Sequence, residues 1–123
     1  MPQVSEQFEA KSLNSPDEVR KFDKGKVELV NIAGATVGRA TFEPGWKWSE
    51  CVKPIAKTDS CQAAHFGYQI SGALATRMDD GTEFITRAGD VVSIPPGHDA
   101  WVVGDETVTV VDFQGMLAYA KTS

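Results

Sequence analysis

The sequence predicts an all-β domain, a sandwich or barrel of antiparallel strands. Three observations carry that expectation. From Val27 onward, apolar and β-branched residues alternate with polar ones at a period of two. Turn residues break the pattern at short intervals, at Ala33-Gly34, Pro44-Gly45, Gly72, Asp79-Asp80-Gly81 and Pro95-Pro96-Gly97. A length of 123 residues fits one domain with room for a sizeable core.

Taken in order, residues 1–14 are polar with few apolar anchors and read as an arm. Asn14-Ser15-Pro16-Asp17-Glu18 has the residues that start a helix: a capping hydroxyl or amide, a proline at the first helical position, and acids in the first turn. A helix of one or two turns is expected there, ending at Gly25, with Val19 and Phe22 toward the core. Val27 to Ile32 and Thr36 to Glu43 read as strands. Trp46 to Val52 reads as a third, with Trp46 and Trp48 on one face and Ser49 and Cys51 on the other. Residues 55–60 read as an irregular loop. Gln62 to Ser71, Ala73 to Met78, Thr82 to Arg87, Val91 to Ile94, Ala100 to Val103 and Thr107 to Gln114 complete the set, with Asp79-Asp80-Gly81 as a hairpin turn. Residues 116–123 read equally as a last strand or a frayed end. The organisation expected is an arm and short helix over 1–26, a β-domain over 27–114 and a tail over 115–123.

Composition narrows the function classes. Twelve basic and seventeen acidic residues give a net charge of -5, which disfavours nucleic acid and anionic membranes as partners. No apolar run is long enough to span a bilayer, and the first residues, MPQVSEQFEAKS, lack the basic and apolar regions of a signal peptide. A cytoplasmic location is the expectation. A reducing compartment then argues for free thiols at both Cys51 and Cys61.

One stretch concentrates the chemistry: Gly89 to Trp101, GDVVSIPPGHDAW. A strand read as buried (Val91, Val92, Ile94) runs into two prolines that cannot donate to a sheet and that fix φ, so it stops at Pro95. Gly97 permits a turn that most residues cannot make. The rigid corner aims His98, an imidazole suited to metal binding or proton transfer.

These residues resemble the cupin superfamily, whose two motifs are carried here over residues 45–104. Gly45 followed by five residues reaches Cys51, His65 followed by six reaches Gly72, and Gly89 followed by five reaches Pro95, with Gly97 at the second-motif glycine. The resemblance implies a double-stranded β-helix, or jelly-roll barrel, of two antiparallel sheets, and commonly a homodimer. Cupins usually offer two histidines, a glutamate and a third histidine to one metal ion. In this sequence Cys51, Lys53, His65 and Ala100 stand at those positions, and Gly104 stands at the final asparagine. A shifted set remains. His98 lies two residues before Ala100, hence on one face with it, and His65 shares a face with Gln69.

Cys51, His65 and His98 are therefore the candidate ligands of one divalent ion. A thiolate with two imidazoles favours zinc, and three protein ligands leave a position open. Cys61 and Glu50 are second-rank candidates. Gln69, Lys53 and Tyr68 are candidate ligand-binding residues, Lys53 because an inward lysine would suit an anion. Without a metal, His65 or His98 could move a proton with help from Asp99 or Tyr68. Trp46, Trp48, Phe66, Tyr68 and Ile70 are expected on outer faces covered by a second subunit. The function expected is a barrel that binds a small molecule. It would be a metal-dependent isomerase, cyclase or oxygenase on a small polar substrate, or a binding or sensing module without metal; a scaffold role with a merely packed barrel is the third class left open.

Overall fold

The structure, a computed structural model, describes residues 7–121. Nine strands form two antiparallel sheets. In chain order the strands of the first half are β1 (Glu18–Phe22), β2 (Gly25–Ile32) and β3 (Ala35–Phe42). Two single-turn helices follow, α1 (Trp48–Cys51) and α2 (Lys53–Ala56). The second half is β4 (His65–Ser71), β5 (Ala73–Met78), β6 (Glu83–Arg87), β7 (Val91–Ile94), β8 (His98–Val103) and β9 (Val108–Asp112). The larger sheet runs β1-β2-β3-β9-β4-β7 and the smaller β6-β5-β8. The strand reading is thus realised from Val27 onward, save for the segment around Trp48.

The register of β9 shows how the inner face is made. Phe42, Ala40 and Gly38 of β3 sit opposite Val108, Val110 and Asp112. Alternation turns all six inward. On β4 the same rule turns His65, Gly67 and Gln69 inward and Phe66, Tyr68 and Ile70 outward.

Several expectations are corrected. The segment after Pro16 is a strand and not a helix: β1 pairs along its whole length with β2, from Glu18 opposite Leu29 to Phe22 opposite Gly25. Ser-Pro-Asp is a turn signal as much as a helix start, and the isolated helix would be too short to hold itself. Asp17 serves that turn. Its amide donates to the Leu29 carbonyl at 2.8 Å, and its carboxylate accepts from Lys11 Nζ and the Asn31 amide.

Trp46 to Val52 is not a strand. Trp48, Cys51 and Val52 are buried at the i, i+3, i+4 spacing of a helix, and Asp99 Oδ1 accepts the Ser49 amide at 3.0 Å to start the turn. Trp46 and Trp48 are core residues, each 2% exposed, and do not belong to an outer patch. Trp46 stacks on Phe42 with ring centroids 3.9 Å apart.

Finally, β7 is not buried on both faces: Val91, opposite Tyr68, is exposed on the outer face, whereas Val92 and Ile94 turn inward. The tail, over its described residues, is neither strand nor frayed. Met116, Tyr119 and Ala120 are buried. Arg20 holds the tail down, with Nη1 donating to the Met116 and Tyr119 carbonyls at 2.9 and 2.8 Å and Nη2 to that of Leu117 at 3.1 Å. Glu18 pairs with the same guanidinium at 2.7 Å, so this buried charge is fully partnered. Of the expected arm, residues 1–6 lie outside the described region. The part that is described is exposed save for the half-buried Leu13, and its Asn14 and Leu13 oxygens accept from Arg39.

Candidate metal centre

Four segments deliver the site. His65 opens β4 and His98 opens β8, one from each sheet. Cys61 lies in the loop before β4 and is tied to His98 as a backbone bridge: the Cys61 amide donates to the His98 carbonyl at 2.7 Å, and the Gly97 amide donates to the Cys61 carbonyl at 2.7 Å. Gly97 has φ +93°, so the corner expected after the prolines is real and needs its glycine. Asp112 ends β9 in the inward register.

The donor atoms converge. One ligand atom from each of Cys61, His65 and His98 lies within 4.8 Å of the other two. Cys61 Sγ and His65 Nε2 are 3.6 Å apart, and the two imidazole rings meet edge to face at 5.2 Å. Both rings are anchored through Nδ1. His98 Nδ1 is 2.9 Å from the Pro95 carbonyl, which only accepts, so Nδ1 carries a hydrogen and Nε2 is the nitrogen left for the cluster. His65 Nδ1 is 2.5 Å from Asp112 Oδ2. Asp112 Oδ1 in turn accepts the Gln114 and Gly115 amides, each at 2.9 Å. The close turn at Gly115 admits no side chain, since a Cβ there would stand 2.5 Å from both His65 Nδ1 and the Ala64 carbonyl.

Burial and charge act against each other here. Burial works to raise the Cys61 thiol, but the His65 and His98 imidazoles outweigh it and bring it down to about 6. Burial likewise works to depress His65, but the Asp112 carboxylate and the Cys61 sulfur raise it to about 9. Asp112 is held below the usual carboxylate range by His65 and the two amides, against the pull of its own burial. Both shifts run in the direction that favours a thiolate at Cys61 and an imidazolium at His65 in the metal-free site, with Asp112 orienting the ring.

A cavity of about 60 Å³ opens from this cluster into the barrel, walled mainly by apolar side chains such as Phe42, Leu74, Val92, Val110 and Met116. A wider groove of about 660 Å³ runs along α2 and the tail, and shares Trp48, Cys61 and Tyr119 with the cavity. Tyr119 packs edge-on to His65 at 5.7 Å and helps to cover it.

Of the residues named from sequence, the structure brings His65 and His98 together and sends Gln69 into the same cavity. Cys51 is not with them: α1 turns its thiol toward Asp23, 3.7 Å from Oδ2, and burial raises its pKa. Cys61 takes the thiol position, and both cysteines are free. Lys53 sits on α2 and Tyr68 on the outer face of β4, and neither lines the cavity. Asp99 is spent on the Ser49 and Ala100 amides. Glu50 is exposed on α1. Asp112 was not anticipated, although alternation from Val108 and Val110 points it inward.

One pair of these donors, Cys61 Sγ and His65 Nε2, has the spacing of two ligands on a tetrahedral ion. Bonds of roughly 2.3 Å to sulfur and 2.0–2.1 Å to nitrogen put the two atoms about 3.5 Å apart at the tetrahedral angle, close to the separation of Cys61 Sγ and His65 Nε2. The carboxylate behind a metal-facing histidine is the usual outer-shell partner of such a ligand.

Comparisons with known proteins rest on structure. No family model and no curated protein matches the chain. Among solved structures, it is similar to an oxalate decarboxylase of Lactobacillus farciminis, with a TM-score of 0.57 and 19% identity over 83% of this chain and 32% of that one. It is similar to a cupin-like protein of Thermotoga maritima, with a TM-score of 0.54 and 19% identity over 78% of this chain and 72% of that one. The oxalate decarboxylase of Bacillus subtilis matches with a TM-score of 0.53 and 23% identity over 80% of this chain and 28% of that one. The chain spans about a third of the length of the decarboxylases it matches. Two antiparallel sheets arranged as in these proteins, despite low identity, make this chain a barrel of the cupin fold.

Proposed function

We propose that this chain is a small-molecule-binding cupin barrel built around one divalent ion held by Cys61, His65 and His98, with zinc favoured by the donor set. The supporting observation is the convergence of three ligand atoms within 4.8 Å, with both imidazoles anchored at Nδ1. A bound zinc ion would supply a Lewis acid with one coordination position open. The chain does the rest. Asp112 fixes the His65 tautomer, the Pro95 carbonyl fixes that of His98, and Cys61 is already a thiolate near neutral pH. Met116 and Tyr119 close the tail over the site and keep bulk water from its apolar walls. With zinc such a centre suits metal-assisted isomerase or cyclase chemistry on a small molecule, whereas oxygenase chemistry would need a redox-active ion on the same ligands. A metal-free binding module is the second reading, and three unpartnered polar atoms elsewhere in the cavity favour it.

Elemental analysis of the purified protein tests the first reading against the second. About one zinc per chain is expected, lost in His65→Ala. A chain that purifies without metal and refuses zinc on reloading would leave the metal-free module. No described helix is long and apolar enough to cross a membrane.

A homodimer is also proposed. Phe66, Tyr68 and Ile70 of β4, with Val91 of β7, form an exposed apolar strip on the outer face of the larger sheet. Tyr68→Glu should turn a dimer into a monomer in light scattering. A wild-type monomer would refute it.

A further inference from the structure

The barrel interior holds a second polar group of residues beyond the thiol and imidazoles. Trp46 Nε1, Gln69 Oε1 and Thr76 Oγ1 are buried and lack a hydrogen-bond partner among the described residues. All three side chains line the same cavity, and Trp46, Gln69 and Thr76 are 2%, 1% and 4% exposed. Buried polar groups in a folded protein are nearly always paired, so three unpartnered ones around one space mark it as a place for a hydrogen-bonding molecule.

Their chemistry is fixed by their surroundings. The Gln69 amide nitrogen donates to the Gly72 carbonyl at 2.9 Å, to that of Thr86 at 3.2 Å and to that of Ser71 at 3.4 Å. Carbonyls only accept, so this end is the nitrogen and Oε1 is the acceptor left over. The Trp46 ring is locked by its stack on Phe42, and its backbone carbonyl accepts from the Val102 amide at 3.0 Å, so its N–H is a donor in a fixed place. Thr76 serves either way. The cavity therefore offers one donor, one acceptor and one hydroxyl between apolar walls.

No lysine or arginine is among the residues lining it, and its carboxylate, Asp112, is already engaged by His65. In the metal-free barrel the His65 imidazole is already paired with Asp112 and Cys61, so an anion would be desolvated without a free counter-charge. The volume of about 60 Å³ holds on the order of four or five non-hydrogen atoms.

We propose that this part of the barrel is a binding subsite for a small uncharged molecule carrying a carbonyl and a hydrogen-bond donor, such as a primary amide or a hydroxy ketone. The carbonyl accepts from the Trp46 indole N–H, the ligand's N–H or O–H donates to Gln69 Oε1, and Thr76 takes the remaining bond. The proposal rests on the reading of the barrel as a ligand pocket but not on the metal.

The test is a nitrogen-edited NMR titration of the full chain, loaded with zinc and again after chelation, with acetamide and with acetate. The two probes match in size and differ in charge. The Trp46 indole resonance is assigned by its disappearance in Trp46→Phe, or, should that variant not fold, by proximity to assigned Phe42 protons. Acetamide should move this resonance saturably at roughly millimolar concentration, given how few atoms it offers. Thr76→Val, which keeps the side-chain shape, should weaken binding roughly three- to tenfold. Acetate should not move the resonance in the chelated protein. Binding of acetamide without zinc upholds the subsite even where the metal reading fails. Zinc binding with no acetamide shift, or acetate binding the chelated protein as well as acetamide does, overturns the subsite.

Discussion

Replacing Asp112 with asparagine changes one atom and should reverse the His65 ring's hydrogen placement. In the native site Asp112 Oδ2 is 2.5 Å from His65 Nδ1, and Oδ1 accepts the Gln114 and Gly115 amides. The asparagine oxygen would stay with those two donors, because the alternative sets its amide group against them. Its NH2 would then face Nδ1, which has to accept, and the ring hydrogen would move to Nε2. That is the nitrogen facing Cys61 at 3.6 Å. Loss of such an outer-shell carboxylate weakens metal binding roughly 10- to 100-fold, or about 1.4–2.7 kcal/mol. Competition against a zinc-buffering chelator reads the effect. It should be run at pH 9, because the raised His65 makes the native site compete with a proton below that value. Nitrogen chemical shifts of the imidazole report the tautomer independently in the metal-free protein. Unchanged zinc affinity together with a retained Nδ1–H tautomer would refute the role given to Asp112.

The pH dependence of the metal-free site follows from two opposed shifts. Cys61 is lowered from 9.0 to about 6, so its contribution to stability is lost as pH falls through 6; His65 is raised from 6.5 to about 9, so its contribution is lost as pH rises through 9. Between those values thiolate ultraviolet absorbance should be present in the chelated protein, with a midpoint near 6, and absent in Cys61→Ser. A midpoint near 9 would contradict the ion pair. Zinc uptake at pH 7.5 should release close to one proton, from His65, as measured by calorimetry in buffers of different ionisation heat. Gly115→Ala should force its new methyl onto His65 and the Ala64 carbonyl, destabilising the fold by about 1–3 kcal/mol in denaturant unfolding and weakening zinc binding. No change in either would mean that the turn does not press on the histidine.

Much of this was legible in the residues, and the failures have physical causes. Alternation placed His65 and Gln69 inward and Tyr68 outward, because a strand's period leaves no choice once one face is buried. The proline corner placed His98, because two prolines and a glycine restrict the backbone locally. Trp46 to Val52 misled because its apolar residues satisfy both a period of two and the spacing Trp48, Cys51, Val52; the tertiary cap from Asp99 decides between them. The motif spacing from Gly45 put Cys51 in place of Cys61. What brings Cys61 to the site is a backbone bridge to His98, 37 residues away, and no local pattern encodes that pairing. Asp112 could have been found, since it continues the inward register of Val108 and Val110. Val19 and Phe22 show the remaining gap: a helix-start signature and an edge strand share their polar residues, and only pairing with β2 separates them.

The choice of thiol is the most direct test of the central claim. Cobalt(II) titrated into the chelated protein should give the strong thiolate-to-metal charge-transfer absorption at one ion per chain, with visible bands of tetrahedral intensity. Cys51→Ser should leave that spectrum intact, since its thiol faces Asp23, whereas Cys61→Ser should abolish the charge-transfer band. Retention of the band in Cys61→Ser, or its loss in a folded Cys51→Ser, would contradict the centre formed by Cys61, His65 and His98.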